Sequence, residues 1–244
     1  MKIISFALLS LFVFHSLIGG EGFDRNDRRI RKLYHFGEDP KFEQKFNSLA
    51  TVTLNGGVKT QDTTYGTGLI WTDTVGDGLK DTANLPTGAS PRTYCILLRF
   101  ANTLTASSDG FFYNQGPAGG EQNALSYPGD GSIANNGTGG CAITNVVQDS
   151  NSKSDRTFLV CSSFEPPTTR RMWILGKNYE KSCFGKGQSG ISSDLVIGNN
   201  QLDSGSNFNG TVYEFALFDV ALSSADIRNI YQRIIKGRSN AESN

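Results

Sequence analysis

The chain has 244 residues, 23 Lys and Arg against 23 Asp and Glu, 28 Gly, and only 19% charged residues. The balanced charge excludes a global field that would favour nucleic acid or an acidic surface. The glycine-rich, charge-poor composition points away from a helical bundle and towards a turn-rich β protein, and the length suits one large β domain.

Lys2 precedes an apolar run over residues 3–18, broken only by Ser5, Ser10, His15 and Ser16, and Gly19 and Gly20 follow it. This layout predicts a secretory signal over residues 1–20, cut near Gly20 or Gly22. The alternative is a membrane anchor, but the run is short for a span and no later stretch is apolar enough to cross a bilayer. The expectation is a secreted, extracellular protein with no membrane span. Residues 21–49 read as a charged leader carrying Arg25, Arg28, Arg29, Arg31 and Lys32. The spacing of Arg28 and Arg31 suits a furin-like processing protease; a solvated leader that is never cut fits the same residues equally well.

The domain is expected over residues 50–236, as short strands separated by Gly, Asn, Asp, Ser and Pro. In residues 93–100, Tyr94, Ile96, Leu98 and Phe100 alternate with Cys95, Leu97 and Arg99; in 157–164, Phe158, Val160 and Phe164 alternate with Leu159, Cys161 and Ser163. Period-two alternation marks strands with one face in a core. Further strands are predicted at 68–72, 110–113, 142–147, 171–175, 194–197 and 211–218. Near the C-terminus Ser223 can cap a helix with Asp226 three residues on, and Leu222 and Ile227 form its hydrophobic staple. Ile227, Ile230, Tyr231, Ile234 and Ile235 recur at helical spacing, and Gly237 is a suitable terminator. Residues 237–244 read as a disordered tail. The predicted fold class is all-β, a two-sheet antiparallel jelly-roll sandwich with one C-terminal helix.

Two groups of residues carry a family resemblance. Leu85-Pro86-Thr87-Gly88 with Ser90-Pro91-Arg92-Thr93, and Phe208-Asn209-Gly210-Thr211-Val212-Tyr213-Glu214 through Ala221-Leu222-Ser223 to Ile227, resemble a core strand and the closing strand and helix of laminin-G-like domains. Cys161-Ser162-Ser163-Phe164, followed by Arg171-Met172-Trp173-Ile174-Leu175-Gly176-Lys177, is similar to a pentraxin segment. The chain thus resembles the concanavalin A-like superfamily, with Leu159 and Phe164 standing where pentraxins carry a histidine and a tryptophan. Four cysteines allow three connectivities by counting. The pentraxin resemblance implies Cys95–Cys161, since the family's partner cysteine lies in a strand like Tyr94-Cys95-Ile96, and with it Cys141–Cys183.

Candidate sites are of three kinds. Asp73, Asp77 and Asp81 supply carboxylates for a calcium loop, although Val75 and Asn84 stand where ligands are wanted, and an Asp/Gly turn is the alternative. Calcium is therefore admitted but no cofactor is required. Tyr113, Asn114 and Gln115, with Asn199, Asn200 and Gln201, supply the aromatic and amide groups of a sugar site. Trp71 and Trp173 fall inside strand patterns and are assigned to core packing. Catalysis has no paired carboxylates to use: Glu214 stands alone, and the two histidines, His15 and His35, fall before residue 50. No enzyme is expected. Asn136 and Asn209 both match the N-glycosylation acceptor. The expectation is a non-catalytic recognition domain for a glycan or extracellular glycoprotein, with a protein-assembly module as the alternative and a polysaccharide-cleaving glycosidase last.

Overall fold

A computed structural model describes residues 22–36, 52–62, 65–72, 77–82, 85–100, 110–116, 123–127, 132–137, 143–147, 157–174, 177–182, 194–198 and 208–236. In chain order the strands are β1 (Ile30–His35), β2 (Val52–Asn55), β3 (Val58–Asp62), β4 (Gly66–Thr72), β5 (Gly78–Asp81), β6 (Arg92–Phe100), β7 (Gly110–Gln115) and β8 (Asn123–Tyr127). There follow β9 (Ser132–Gly137), β10 (Ile143–Val147), β11 (Thr157–Glu165), β12 (Thr169–Ile174), β13 (Lys177–Ser182), β14 (Leu195–Ile197) and β15 (Asn209–Phe218). One sheet runs β13-β12-β11-β6-β15-β4-β3, with β1 also paired to β15; the second runs β10-β9-β8-β7-β14-β5-β2. Neighbouring strands are antiparallel. The architecture is the expected two-sheet antiparallel sandwich.

Alternation along β6 and β11 builds two cores from one pair of strands. Tyr94, Ile96, Leu98, Phe158 and Val160 face the second sheet and join Trp71, Leu79, Phe112, Ile197 and Phe215. Cys95, Leu97, Leu159 and Cys161 face outwards, and there they meet Trp173, Phe23, Ile30, Leu33 and the helix residues Ile227, Ile230 and Ile234. Central strands buried on both faces need apolar residues at both parities, which explains the near-continuous runs in their sequences. Cys95 and Cys161 lie directly opposite each other and form the disulfide that the resemblance implied. Cys141 and Cys183 fall outside the described residues, as do the signal at 1–20 and the tail at 237–244.

The domain starts earlier than the sequence indicates. β1 pairs with β15 from Ile30–Phe218 to His35–Glu214. Phe23, Ile30, Leu33, Tyr34 and Phe36 are all core residues. Residues 22–36 are thus part of the sandwich, and the domain boundary at residue 50 is corrected. The basic cluster read as a processing site leads directly into this strand. Lys32 within it is fully buried, so a cut after Arg31 would split β1.

The helix α1 (Ser224–Tyr231) continues into a π-helical turn at Gln232–Lys236. Its predicted capping box is formed: the Asp226 N–H donates to Ser223 Oγ (3.2 Å), and Ser223 N–H donates back to Asp226 Oδ2 (3.1 Å). Arg29, at the start of β1, donates to Asp226 Oδ1 at 2.7 Å. The Arg29 guanidinium and then the Ser223 hydroxyl hold the Asp226 carboxyl below its usual range. A Ser223→Ala change should lower stability by about 1 kcal/mol in urea unfolding at neutral pH. A depressed carboxyl stabilises above its ordinary value of 3.8, and the effect fades as pH falls through the folded value. The gap between variant and parent should therefore narrow in acid.

Candidate functional site

Buried polar groups sit in three places among the described residues, and Tyr113 and Gln115, two of the residues assigned to a sugar site by sequence, fall into one of them. β7 lies inside the second sheet, between β8 and β14. Tyr113 stacks on Tyr94 of the opposite sheet, with ring centroids 4.6 Å apart. Gln115 accepts a hydrogen bond from the Tyr94 hydroxyl and donates to the Pro86 carbonyl at 2.8 Å. Asn114, on the other face of the strand, is also fully buried. Tyr113, Asn114 and Gln115 are interior residues, and their assignment to an exposed sugar platform is corrected. The strand does not end at residue 113, so alternation carries Gln115 inwards beside Tyr113.

The same interior layer holds two guanidinium groups. Phe164 pairs across the sheet with Arg92 on β6 and with Arg170 on β12. Both guanidiniums lie over its ring, at 5.2 and 5.8 Å from the centroid. Arg92 donates to the carbonyls of Gly88 and Ser90, both at 3.0 Å. Arg170 donates to Asn135 Oδ1 at 3.3 Å, and Asn135 Nδ2 donates to Ser162 Oγ at 2.6 Å. Burial, countered by Tyr113 and reinforced by Arg92, lowers the Arg170 guanidinium to about 10. Burial also raises the hydroxyls of Tyr94 and Tyr113, so both remain protonated donors in the neutral range. The aromatic ring between two like charges offsets part of their desolvation, and the layer fastens both sheets together. Sequence reading missed it because Arg92 and Arg170 each begin near a strand end, where a basic residue reads as solvated.

A second group spans the sheets at the other side of β15. Lys32 Nζ lies 2.8 Å from Asp81 Oδ2, with both side chains fully buried, and the Tyr34 hydroxyl donates to the same carboxylate oxygen. Asp81 on β5, expected as a calcium ligand, is instead paired with the Lys32 ammonium on β1, and that assignment is corrected. Asp77 packs against Gly56, while Asp73 lies outside the described residues. No group of three or more His, Cys, Asp or Glu among the described residues is placed to hold a metal ion.

The third group lies on the outer face of the first sheet. His35 Nδ1 is 3.6 Å from Glu214 Oε1, and the Phe23 N–H donates to Glu214 Oε2 at 2.9 Å. The domain therefore does contain a histidine, and Glu214 is not isolated. Both side chains are nearly covered, which makes this a packed contact and not an open acid–base pair. Of the glycosylation acceptors, Asn136 lies within β9 and not in a loop, and Asn209 opens β15, half-buried. Asn199, Asn200 and Gln201 lie outside the described residues, directly after the turn at Gly198 that ends β14.

No protein-family model and no curated protein matches the sequence. Solved structures do match in shape. The receptor-binding domain of botulinum neurotoxin D superposes with a TM-score of 0.64 at 14% identity, over 84% of this chain and 52% of that one. The serotype D ligand-binding domain in complex with N-acetylneuraminic acid gives the same score and identity, over 84% and 50%. Trypanosoma rangeli sialidase in complex with sialic acid gives 0.60 at 12% identity, over 83% and 32%. The chain thus spans about half the length of the toxin domains and a third of the sialidase. At these identities the likeness is one of fold: a two-sheet β sandwich of the kind those proteins contain.

Proposed function

We propose that this protein is a non-catalytic recognition domain for an extracellular glycan, with sialic-acid-terminated chains as its first candidate class. The observation that carries this reading is the sandwich itself, shared with two proteins crystallised with N-acetylneuraminic acid or sialic acid. The finer resemblance to concanavalin A-like domains of the laminin-G and pentraxin kind supports the same class of ligand. Because Tyr113, Asn114 and Gln115 are interior, this reading rests on the second set of amides. Asn199, Asn200 and Gln201 carry amides that can both donate to and accept from sugar hydroxyls. Calcium is not required for this contact.

The test is a glycan array probed with the secreted protein, including matched sialylated and desialylated chains. Binding is expected to at least one sialylated class and should fall about tenfold on Asn200→Ala, the usual cost of leaving a buried ligand hydroxyl unpaired. Silence across the array, with capture of a glycan-free matrix protein, would replace this reading by the assembly module. Release of reducing ends from a polysaccharide would replace it by a hydrolase.

A further inference from the structure

Glu214 is a carboxylate buried on the outer face of the first sheet, and what meets it is the peptide joining residues 22 and 23. Phe23 N–H donates to Oε2 at 2.9 Å. Gly22 presses so close that a Cβ there would lie 2.2 Å from Oε1. His35 Nδ1 approaches the same oxygen at 3.6 Å. The segment is held in place by its own side chains. Phe23 is buried and packs edge-on against Phe218 at 6.3 Å, and the Asp27 N–H closes a turn onto the Asp24 carbonyl at 3.0 Å. Gly20-Glu21-Gly22 places small residues at both positions that a signal peptidase reads before its cut.

We infer that the bond between Gly22 and Phe23 is the maturation cut, and that the α-ammonium of Phe23 released by it becomes the counter-ion of Glu214. In that step a secretory signal peptidase adds one water across the amide. The oxygen of the water goes to the carbonyl carbon of Gly22, which leaves as a carboxylate, and both of its protons end on the Phe23 nitrogen, which leaves as an ammonium. The nitrogen that offered one amide proton to a buried carboxylate then carries a full positive charge. The contact, already charge-assisted through the carboxylate, then gains the attraction between two full charges. The peptidase acts on the unfolded chain, so the burial of Phe23 in the folded domain does not obstruct it. A cut after Gly20 would instead keep the Phe23 nitrogen as an amide and leave Glu21 two residues away from it. This inference rests on the secretory reading of residues 1–20 and is independent of the ligand.

The full precursor should be expressed in a secreting eukaryotic cell and its product examined by intact mass and N-terminal sequencing. A first residue of Phe23 is expected; a first residue of Glu21, or an uncut chain, overturns the proposal. The ion pair is tested by comparing the secreted protein with a form whose cut has been moved to leave Glu21-Gly22 in front. Glu214→Gln should lower the Tm of the Phe23-initiated form by roughly 6 °C, the scale for breaking a buried pair in a domain of this size. The same change should cost the extended form less, since it loses a hydrogen bond to a backbone amide and not an ion pair. Equal losses in both forms would mean that Glu214 serves the backbone amide and not an ammonium.

Discussion

Asp81→Ala is expected to lower the unfolding free energy by about 3–5 kcal/mol, the range seen when one partner of a buried ion pair is removed. The carboxylate has two dependants. Lys32 Nζ stands 2.8 Å away with no exposed side-chain surface. The Tyr34 hydroxyl donates to the same oxygen from a position where burial, followed by the charge of Asp81, pushes it well above its ordinary range. Truncation leaves an ammonium and a phenol facing the inter-sheet core, where neither can be reached by bulk water. Asp81→Asn keeps an acceptor for Tyr34 and should lose less. Replacing the pair together, as Lys32→Met with Asp81→Leu, should recover most of the loss, because no uncompensated charge remains. Urea unfolding at neutral pH measures all four proteins. A loss below about 1 kcal/mol for Asp81→Ala would mean that water reaches the pair, as it does for surface ion pairs.

The second large effect belongs to the disulfide. Cys95 and Cys161 are 66 residues apart in sequence and pair directly across β6 and β11. Closing a loop of that length removes enough freedom from the unfolded chain to contribute about 4 kcal/mol in the chain-entropy account. Cys95→Ala with Cys161→Ala should therefore lose about that amount in the same urea titration. The two sulfurs lie in the outer core, beneath Trp173 and the helix residue Ile230, so reductant should open the bond slowly in the native protein and rapidly in urea. Non-reducing peptide mapping checks the pairing itself; a peptide linking Cys95 to Cys141 or Cys183 would show the wrong partner.

How far the sequence could be read depended on where each residue found its partner. β6 and β11 were legible because their alternation continues for nine residues, and the helix because its cap and staple are local. β1 was not, since Lys32 makes its sequence look solvated and only Asp81, on a distant strand of the other sheet, neutralises it. β3 and β13 lie at the edges of their sheet and keep polar sequences such as KNYEKS, which carry no periodic signal. The site residues failed for a related reason. Aromatic and amide groups in sequence look the same whether they bind a sugar or each other, and the bonds from Tyr94 and to Pro86 that occupy Gln115 span 21 and 29 positions.

β15 is the last strand among the described residues, yet it touches β1, β4 and β6. Phe23 and Glu214, joined by a hydrogen bond at its outer face, are 191 positions apart. During synthesis β1 thus emerges long before its partner exists, and the first sheet stays open until β15 has left the ribosome. Such non-local closure makes folding slow and leaves unpaired strand edges exposed meanwhile. A chain cut before residue 205 loses the strand that joins β1, β4 and β6 in one sheet.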